Sequence, residues 1–264
     1  MSDDKVQVYI FQRSGQNPDG SPYGIKMLTF LRAAKIEYEA RPFAEHQMKN
    51  APKGKCPYVK KSNLNGGKEL ADTAVIIDAL VESGMAPDFD SWLSESDKAI
   101  AMAMRALLED TIYWYCHWVR WCTDQFWSKT SPAFFGNLPW PLRPIVSYMV
   151  RRDADAQNRA QGTGRHSSDE LLKFTEQKLK TVSTFLGDKK YMMGNQISTL
   201  DFSAFGILAN HMQGPWEHPI LDVARKDKRL TDYVDRMRAE FFPELICETE
   251  EHPSSNAEKS KASQ

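Results

Sequence analysis

Three residue pairs in the first third of the chain have types that do chemistry where they stand. Ser21-Pro22 opens a helical period carried by Ile25, Leu28, Leu31 and Ile36, and proline suits a first helical turn. A hydroxyl there either caps the helix or faces an anion drawn to the positive end of the helix dipole. Cys56-Pro57 leads into a short strand at Tyr58-Val59; by default its peptide bond is an ordinary trans turn. Asp72-Thr73 opens a second helix, marked by Ala74, Ile77, Leu80 and Val81, whose unpaired N–H groups suit a carboxylate. Simple capping by Asp72 fits the same geometry. Position 21 is Ser and position 24 is Gly, so no redox-active cysteine pair begins the first helix, which argues against a disulfide reductase.

Further along, Tyr113, His117 and Trp121 stand four residues apart and share one helix face, with Trp114 and Trp118 in an adjacent stripe. Such a stripe is either core or the wall of a substrate pocket. Arg143, Arg151, Arg152, Arg159 and Arg165 form a basic cluster that reads as a solvated face, an anion site or a weak membrane-surface patch.

The elements that position these residues come in a simple order. Val6–Phe11 reads as a strand and Gln12–Ser21, with its Gly, Pro, Asn and Asp, as a loop. The first helix, a strand at Glu37–Arg41, a loose helix at Ala44–Asn50, the Tyr58-Val59 strand, a turn at Asn63–Gly67 and a strand at Lys68–Leu70 follow. The second helix stops at Gly84. This is a small α/β domain over residues 1–86. Beyond Pro87–Asp90 the reading is all helix, 91–246: one long pattern over Ser94–Thr123, an aromatic and Pro-rich stretch at Trp127–Met149, an amphipathic helix at Ser168–Leu186 with a capping box at Ser167 and Glu170, a helix at Leu200–Met212 started by Ser198 and Asp201, and a last stretch at Leu221–Phe242. Residues 247–264 read as a disordered tail.

Composition bounds the function. With 264 residues, about 150 per domain gives two domains. Lys and Arg number 34 against 35 Asp and Glu, which argues against binding nucleic acid through the bulk field. The four cysteines, Cys56, Cys116, Cys122 and Cys247, form no C-x-x-C pair and no zinc-ligand spacing, so reduced thiols and no metal are expected. No apolar run reaches the ~18–20 residues of a membrane span, and the polar start of the chain does not resemble a signal peptide. A cytoplasmic protein without stable membrane insertion is the expectation.

The ordered set Ser21-Pro22-Tyr23, Cys56-Pro57-Tyr58-Val59, Leu70-Ala71-Asp72-Thr73 and Ser198-Thr199-Leu200-Asp201 resembles the glutathione S-transferase superfamily over roughly residues 6 to 243. Phe134–Pro141 and Gly162–Ser167 are similar to its failed-axon-connections branch, which neighbours the metaxins. The resemblance implies an α+β two-domain protein: a thioredoxin-like N-terminal domain with a four-stranded mixed sheet, then an all-α domain. It implies glutathione as co-substrate, a small electrophile as acceptor, and a homodimer. By this likeness Ser21 activates the thiol, with Ser14 and Tyr9 as rivals. Tyr23, main-chain groups of Cys56 before a cis Pro57, and Asp72 with Thr73 hold the tripeptide. His46, Lys53 and Lys55 stand near its glycyl carboxylate, and Tyr113, His117 and Trp121 line an acceptor pocket between the domains. The alternative that the branch implies is an adaptor that keeps the fold without catalysis.

Overall fold

The computed structural model describes residues 5–42, 51–136, 138–212 and 217–246. Four strands, β1 (Val6–Ile10), β2 (Tyr38–Pro42), β3 (Tyr58–Lys60) and β4 (Leu70–Ala71), form one mixed sheet in the order β2-β1-β3-β4. β1 runs parallel to β2 and antiparallel to β3, and β3 runs antiparallel to β4. Along β1 the alternation is strict: Val6, Val8 and Ile10 are buried while Gln7 and Tyr9 are half-buried on the other face. That is the period-two pattern of a central strand whose two faces differ.

α1 (Pro22–Ala33) supplies the crossover between the parallel strands, and its Ile25, Met27, Phe30 and Leu31 are fully buried. α2 (Thr73–Glu82) follows β4 and buries Ile76, Ile77 and Leu80. The four-stranded mixed sheet and its helices are the thioredoxin-like arrangement expected from the resemblance. The loose helix expected over Ala44–Asn50, and His46 within it, lie outside the described residues. The turn expected at Asn63–Gly67 is a short 3₁₀ segment at Asn65–Gly67, in which Asn65 and Gly66 have positive φ.

The rest of the described chain is helical. α3 (Glu95–Leu107) and α4 (Tyr113–Cys122) are joined through a π-helical turn at Leu108–Ile112, so the single long pattern over Ser94–Thr123 holds with one wide turn inside it. α5 (Asp124–Phe135) and α6 (Leu142–Gln161) occupy the aromatic, Pro-rich stretch that the sequence left without elements. α7 (Ser168–Leu186) begins with the expected capping box, both halves of which are formed. α8 (Thr199–Met212) is buried along nearly its whole length. The last stretch divides into α9 (Pro219–Lys226) and α10 (Lys228–Phe241).

The chain separates into one unit of residues up to Trp92 together with Asp232 onward, and a second unit of Leu93–Thr231. The helical domain expected over 91–246 therefore gives up its last residues to the N-terminal unit. Arg32 of α1 holds them: its guanidinium donates to the Phe241 carbonyl at 2.5 Å, pairs with Glu244 at 2.7 Å and lies 4.3 Å from the Phe242 ring centre.

Candidate thiol site and its relatives

Strand register brings the three pairs to one end of the sheet. Tyr58 of β3 stands opposite both Tyr9 of β1 and Ala71 of β4. Pro57, one residue before Tyr58, thus lies beside the exit of β1 on one side and Asp72, one residue past Ala71, on the other. The loop that ends at Ser21 leaves the same end of β1. The Cys56–Pro57 bond is cis, as the resemblance implies.

Ser21 occupies the N-cap position of α1 with extended backbone, yet its side chain makes no capping hydrogen bond. Plain capping is therefore not what the hydroxyl does, and it is left half-exposed at the positive end of the helix. The Thr73 hydroxyl at the start of α2 likewise has no partner among the described residues. Asp72 differs. Its carboxylate accepts from the Ala74 N–H at 3.0 Å, so it caps α2, and its backbone is held at φ 82° and ψ 119°, outside the left-handed helical well and uncommon for any residue but Gly. Strain of this kind concentrates at ligand-binding positions. Tyr23 is half-buried one residue into α1.

Cys56 is half-buried and free, and burial pushes its thiol up to about 12, with the nearby Asp19 carboxyl adding to the shift. A thiol so held is no nucleophile near neutrality. Of the rival hydroxyls, Tyr9 donates to Gln7 at 3.3 Å and stacks on Tyr58 with ring centres 4.4 Å apart. Ser14 closes a small bridge with Asn17 through main-chain bonds of 3.2 and 3.0 Å. Lys53, at φ 58°, and Lys55 are exposed.

The residue that sequence reasoning missed is Asp19. It is fully buried beneath the start of α1, where one carboxylate oxygen accepts from the Ser21 N–H at 2.5 Å and the other from the Phe11 N–H at 3.0 Å. It thereby ties the exit of β1 to the entry of α1 and fixes the backbone that carries Ser21. A Cβ on Gly24 would overlap this carboxyl, so the glycine in the first turn is the counterpart of the buried acid. Asn17, also buried, accepts from Arg238 of α10 at 3.4 Å and anchors the same loop.

Burial pushes the Asp19 carboxyl from its ordinary 3.8 up to about 7, against the two backbone donors that lower it. The folded chain therefore favours the protonated acid more than the unfolded chain does. The stability this contributes is full below pH 3.8 and is lost as pH rises through about 7. In denaturant titrations, the native protein should lose stability relative to Asp19→Asn over that window. Parallel curves for the two proteins across it would show that Asp19 does not titrate as described.

In the helical unit, Tyr113, His117 and Trp121 do form one ladder. Tyr113 and His117 ring centres lie 5.5 Å apart, and those of His117 and Trp121 lie 6.1 Å apart. Trp121 also meets Trp127 and Phe134 of α5. His117 Nδ1 lies 2.7 Å from Asn158 Nδ2, which also reaches Cys122 Sγ at 3.3 Å. Burial raises the Tyr113 phenol well above its ordinary value. A cleft of about 270 Å³ in this unit opens on different residues, among them Thr111, Tyr115, His166 and Lys178.

The sheet order, the cis proline and the two helix starts around it make up a thioredoxin-like arrangement. Residues 22–126 match the glutathione S-transferase N-terminal domain and residues 175–237 the C-terminal domain, and the chain belongs to the glutathione S-transferase superfamily. The chain's relatives within the superfamily include metaxins. It is 28% identical to Failed axon connections of Drosophila melanogaster over 92% of its own length and 60% of that protein's, and 25% identical to human Metaxin-2 over 66% and 63%. The chain thus spans about three fifths of these relatives. It is also 26% identical to the isoprene-epoxide–glutathione S-transferase of Rhodococcus, over 89% of this chain and 99% of that one. The fold matches a glutathione S-transferase of Ceriporiopsis subvermispora in complex with glutathione at a TM-score of 0.60 and 15% identity, covering 90% and 98% of the two chains.

Proposed function

We propose that the N-terminal unit binds glutathione and that Ser21 stabilises the bound sulfur as thiolate for attack on a small electrophile. The carrying observation is the meeting, at one sheet end, of a cis Cys56–Pro57, the start of α2 at Thr73 and an uncommitted Ser21 hydroxyl at the start of α1. Strand-like main-chain groups at Cys56 take the cysteinyl part of the tripeptide, and the N-terminus of α2 takes its γ-glutamyl carboxylate. The free thiol ionises near 8.5, so a hydroxyl donor and a helix dipole that favour the anion raise the reactive fraction at neutral pH. Likeness to the Rhodococcus enzyme supports an epoxide-like acceptor. The same reading takes the protein as a cytoplasmic homodimer.

A second reading, an adaptor that retains the fold, is favoured by the likeness to Failed axon connections and Metaxin-2 and by the engagement of the Asp72 carboxylate as a helix cap. Calorimetry separates the two. Glutathione should bind, and Asp72→Ala or Thr73→Ala should weaken it about tenfold, the loss of one hydrogen bond to a charged group. No heat of binding at millimolar glutathione would favour the adaptor.

A further inference from the structure

The segment Gly162–Ser167, which the thiol site does not use, supplies one wall of the cleft in the helical unit. Gly162 ends α6 at φ 112°, a conformation that favours glycine, and a Cβ on Gly164 would come within 3.0 Å of the Arg159 backbone nitrogen. The two glycines let the chain turn closely over the end of α6. Gln161 ties this turn to the opposite wall. Its side-chain oxygen accepts from the Thr163 N–H at 3.0 Å and from the Thr163 hydroxyl at 2.5 Å, and its nitrogen donates to the Asp110 carbonyl at 3.1 Å. Asp110 belongs to the π-helical turn between α3 and α4, a distortion often found at functional sites.

Donors without a partner open on this cleft. Tyr115 of α4 is only 4% exposed and lines it, and its hydroxyl makes no hydrogen bond with any described residue. That oxygen is not among the side-chain atoms sealed from solvent, so it opens on the cleft. A phenol so deeply buried ordinarily has a partner for its hydroxyl. The Thr111 hydroxyl, one turn earlier and also lining the cleft, is likewise unbonded among the described residues. Lys178 of α7 adds a positive charge. Its ammonium makes no ion pair among the described residues and stands 5.6 Å from the Tyr115 ring centre and 5.1 Å from that of Phe174. His166 meets Phe174 edge to face, with ring centres 5.1 Å apart. Cation–π contact accounts for where the ammonium rests, but not for the bare Tyr115 hydroxyl.

Charge selects the occupant. Lys178 carries the one fixed charge among the residues that line the cleft, and no carboxylate lines it. Glu170, one turn before Phe174 on α7, is engaged elsewhere: it accepts from the Ser167 N–H at 2.8 Å and the Ser167 hydroxyl at 3.1 Å, and lies 3.7 Å from His166. One uncompensated cation matches a monoanion, whereas a phosphate monoester would bring close to two charges. An ammonium and two hydroxyl donors suit the two oxygens of a carboxylate. The rings of Tyr115, Phe174 and His166 offer the rest of the molecule a flat apolar wall. The space, about 270 Å³, lies at the small end of ligand cavities and suits a single ring rather than a large polycyclic anion.

We propose that this cleft binds a small aromatic monocarboxylate: the carboxylate takes the Lys178 ammonium and the Tyr115 and Thr111 hydroxyls, and the ring lies against Phe174 and His166. The site belongs to the helical unit and does not depend on glutathione binding. Saturation-transfer NMR titration of the full chain with phenylacetate tests it. Phenylacetate should bind, and phenylacetamide, the same shape without the charge, should bind at least about tenfold more weakly. Tyr115→Phe and Lys178→Met should each weaken phenylacetate binding about tenfold, the loss of one charge-assisted hydrogen bond. Tyr115→Phe should keep the thermal midpoint of the native protein, because that hydroxyl bonds nothing in the fold, so its lost affinity is not lost structure. Saturating glutathione should leave the phenylacetate titration unchanged. No transfer at millimolar phenylacetate, equal affinity for acid and amide, or native affinity in both variants would overturn the proposal. So would displacement of phenylacetate by glutathione, which would assign the probe to the thiol site.

Discussion

Asp201→Ala should lower the free energy of unfolding by about 3–5 kcal/mol, more than the loss of an ordinary helix cap, because it leaves buried donors without acceptors. The residue sits in the first turn of α8 and is fully buried. Its carboxylate accepts from the Met192 N–H at 2.7 Å, the Ser198 N–H at 3.0 Å and the Ser198 hydroxyl at 2.9 Å. Capping explains only the Ser198 contacts. The bond to Met192 reaches back to the segment that precedes the helix, so the acid staples that segment to a helix buried along nearly its whole length. Alanine strands two buried backbone N–H groups at once. Urea unfolding monitored by far-ultraviolet circular dichroism would show the loss as a lowered midpoint with an unchanged slope. Glutathione binding by the folded fraction should persist. A midpoint equal to that of the native protein, or loss of binding without loss of stability, would contradict a purely structural role.

How far the sequence reached depended on whether the relevant signal was local. Ser198 and Asp201 were legible because a cap is a matter of spacing along one helix start. Their true weight was not, since Met192 joins them only through the fold. The strands and α1 and α2 were legible from period and punctuation, with edges off by up to three residues: the period ran on to Ile36 where α1 stops at Ala33, and the strand expected at Lys68–Leu70 is Leu70–Ala71. α5 and α6 were not, because Pro132, Gly136, Pro139, Pro141 and Pro144 read as breakers. Pro144 is tolerated because it falls in the first turn of α6, where backbone N–H groups have no partner within the helix. Pro132 sits inside α5 in its last turn and forgoes its own bond.

The site divides the same way. Cys56-Pro57 and Asp72-Thr73 stand at element ends and are visible as motifs, and strand pairing then puts them side by side. Asp19 is invisible in the sequence. In Asn17-Pro18-Asp19-Gly20 an aspartate reads as a solvated turn residue, and only the folding of that loop under α1 shows it to be buried. Gly24 offered the one available sign. A glycine in the first turn of a helix costs stability without an evident return, and its purpose is room for the Asp19 carboxyl.

Ser21→Ala should reduce the rate of glutathione conjugation roughly 10- to 150-fold at neutral pH, the equivalent of one hydrogen bond to a charged sulfur, about 1.5–3 kcal/mol. The hydroxyl is free to make that bond, for it caps nothing. Its backbone is fixed by the Asp19 carboxylate at 2.5 Å, so deleting the side-chain oxygen need not move the loop. Affinity for the tripeptide should change far less, because the contacts at Cys56 and Thr73 lie elsewhere. The pH–rate profile should move upward, since the bound thiol would ionise later without its donor. Cys56→Ser should leave the profile in place, because a thiol held up to about 12 supplies no anion there. Ser14→Ala and Tyr9→Phe complete the comparison. A full rate and an unshifted profile for Ser21→Ala, with both lost in Ser14→Ala or Tyr9→Phe, would transfer the activating role to that rival and leave the enzyme reading intact. No turnover by the native protein with epoxides and other generic electrophiles would decide for the adaptor.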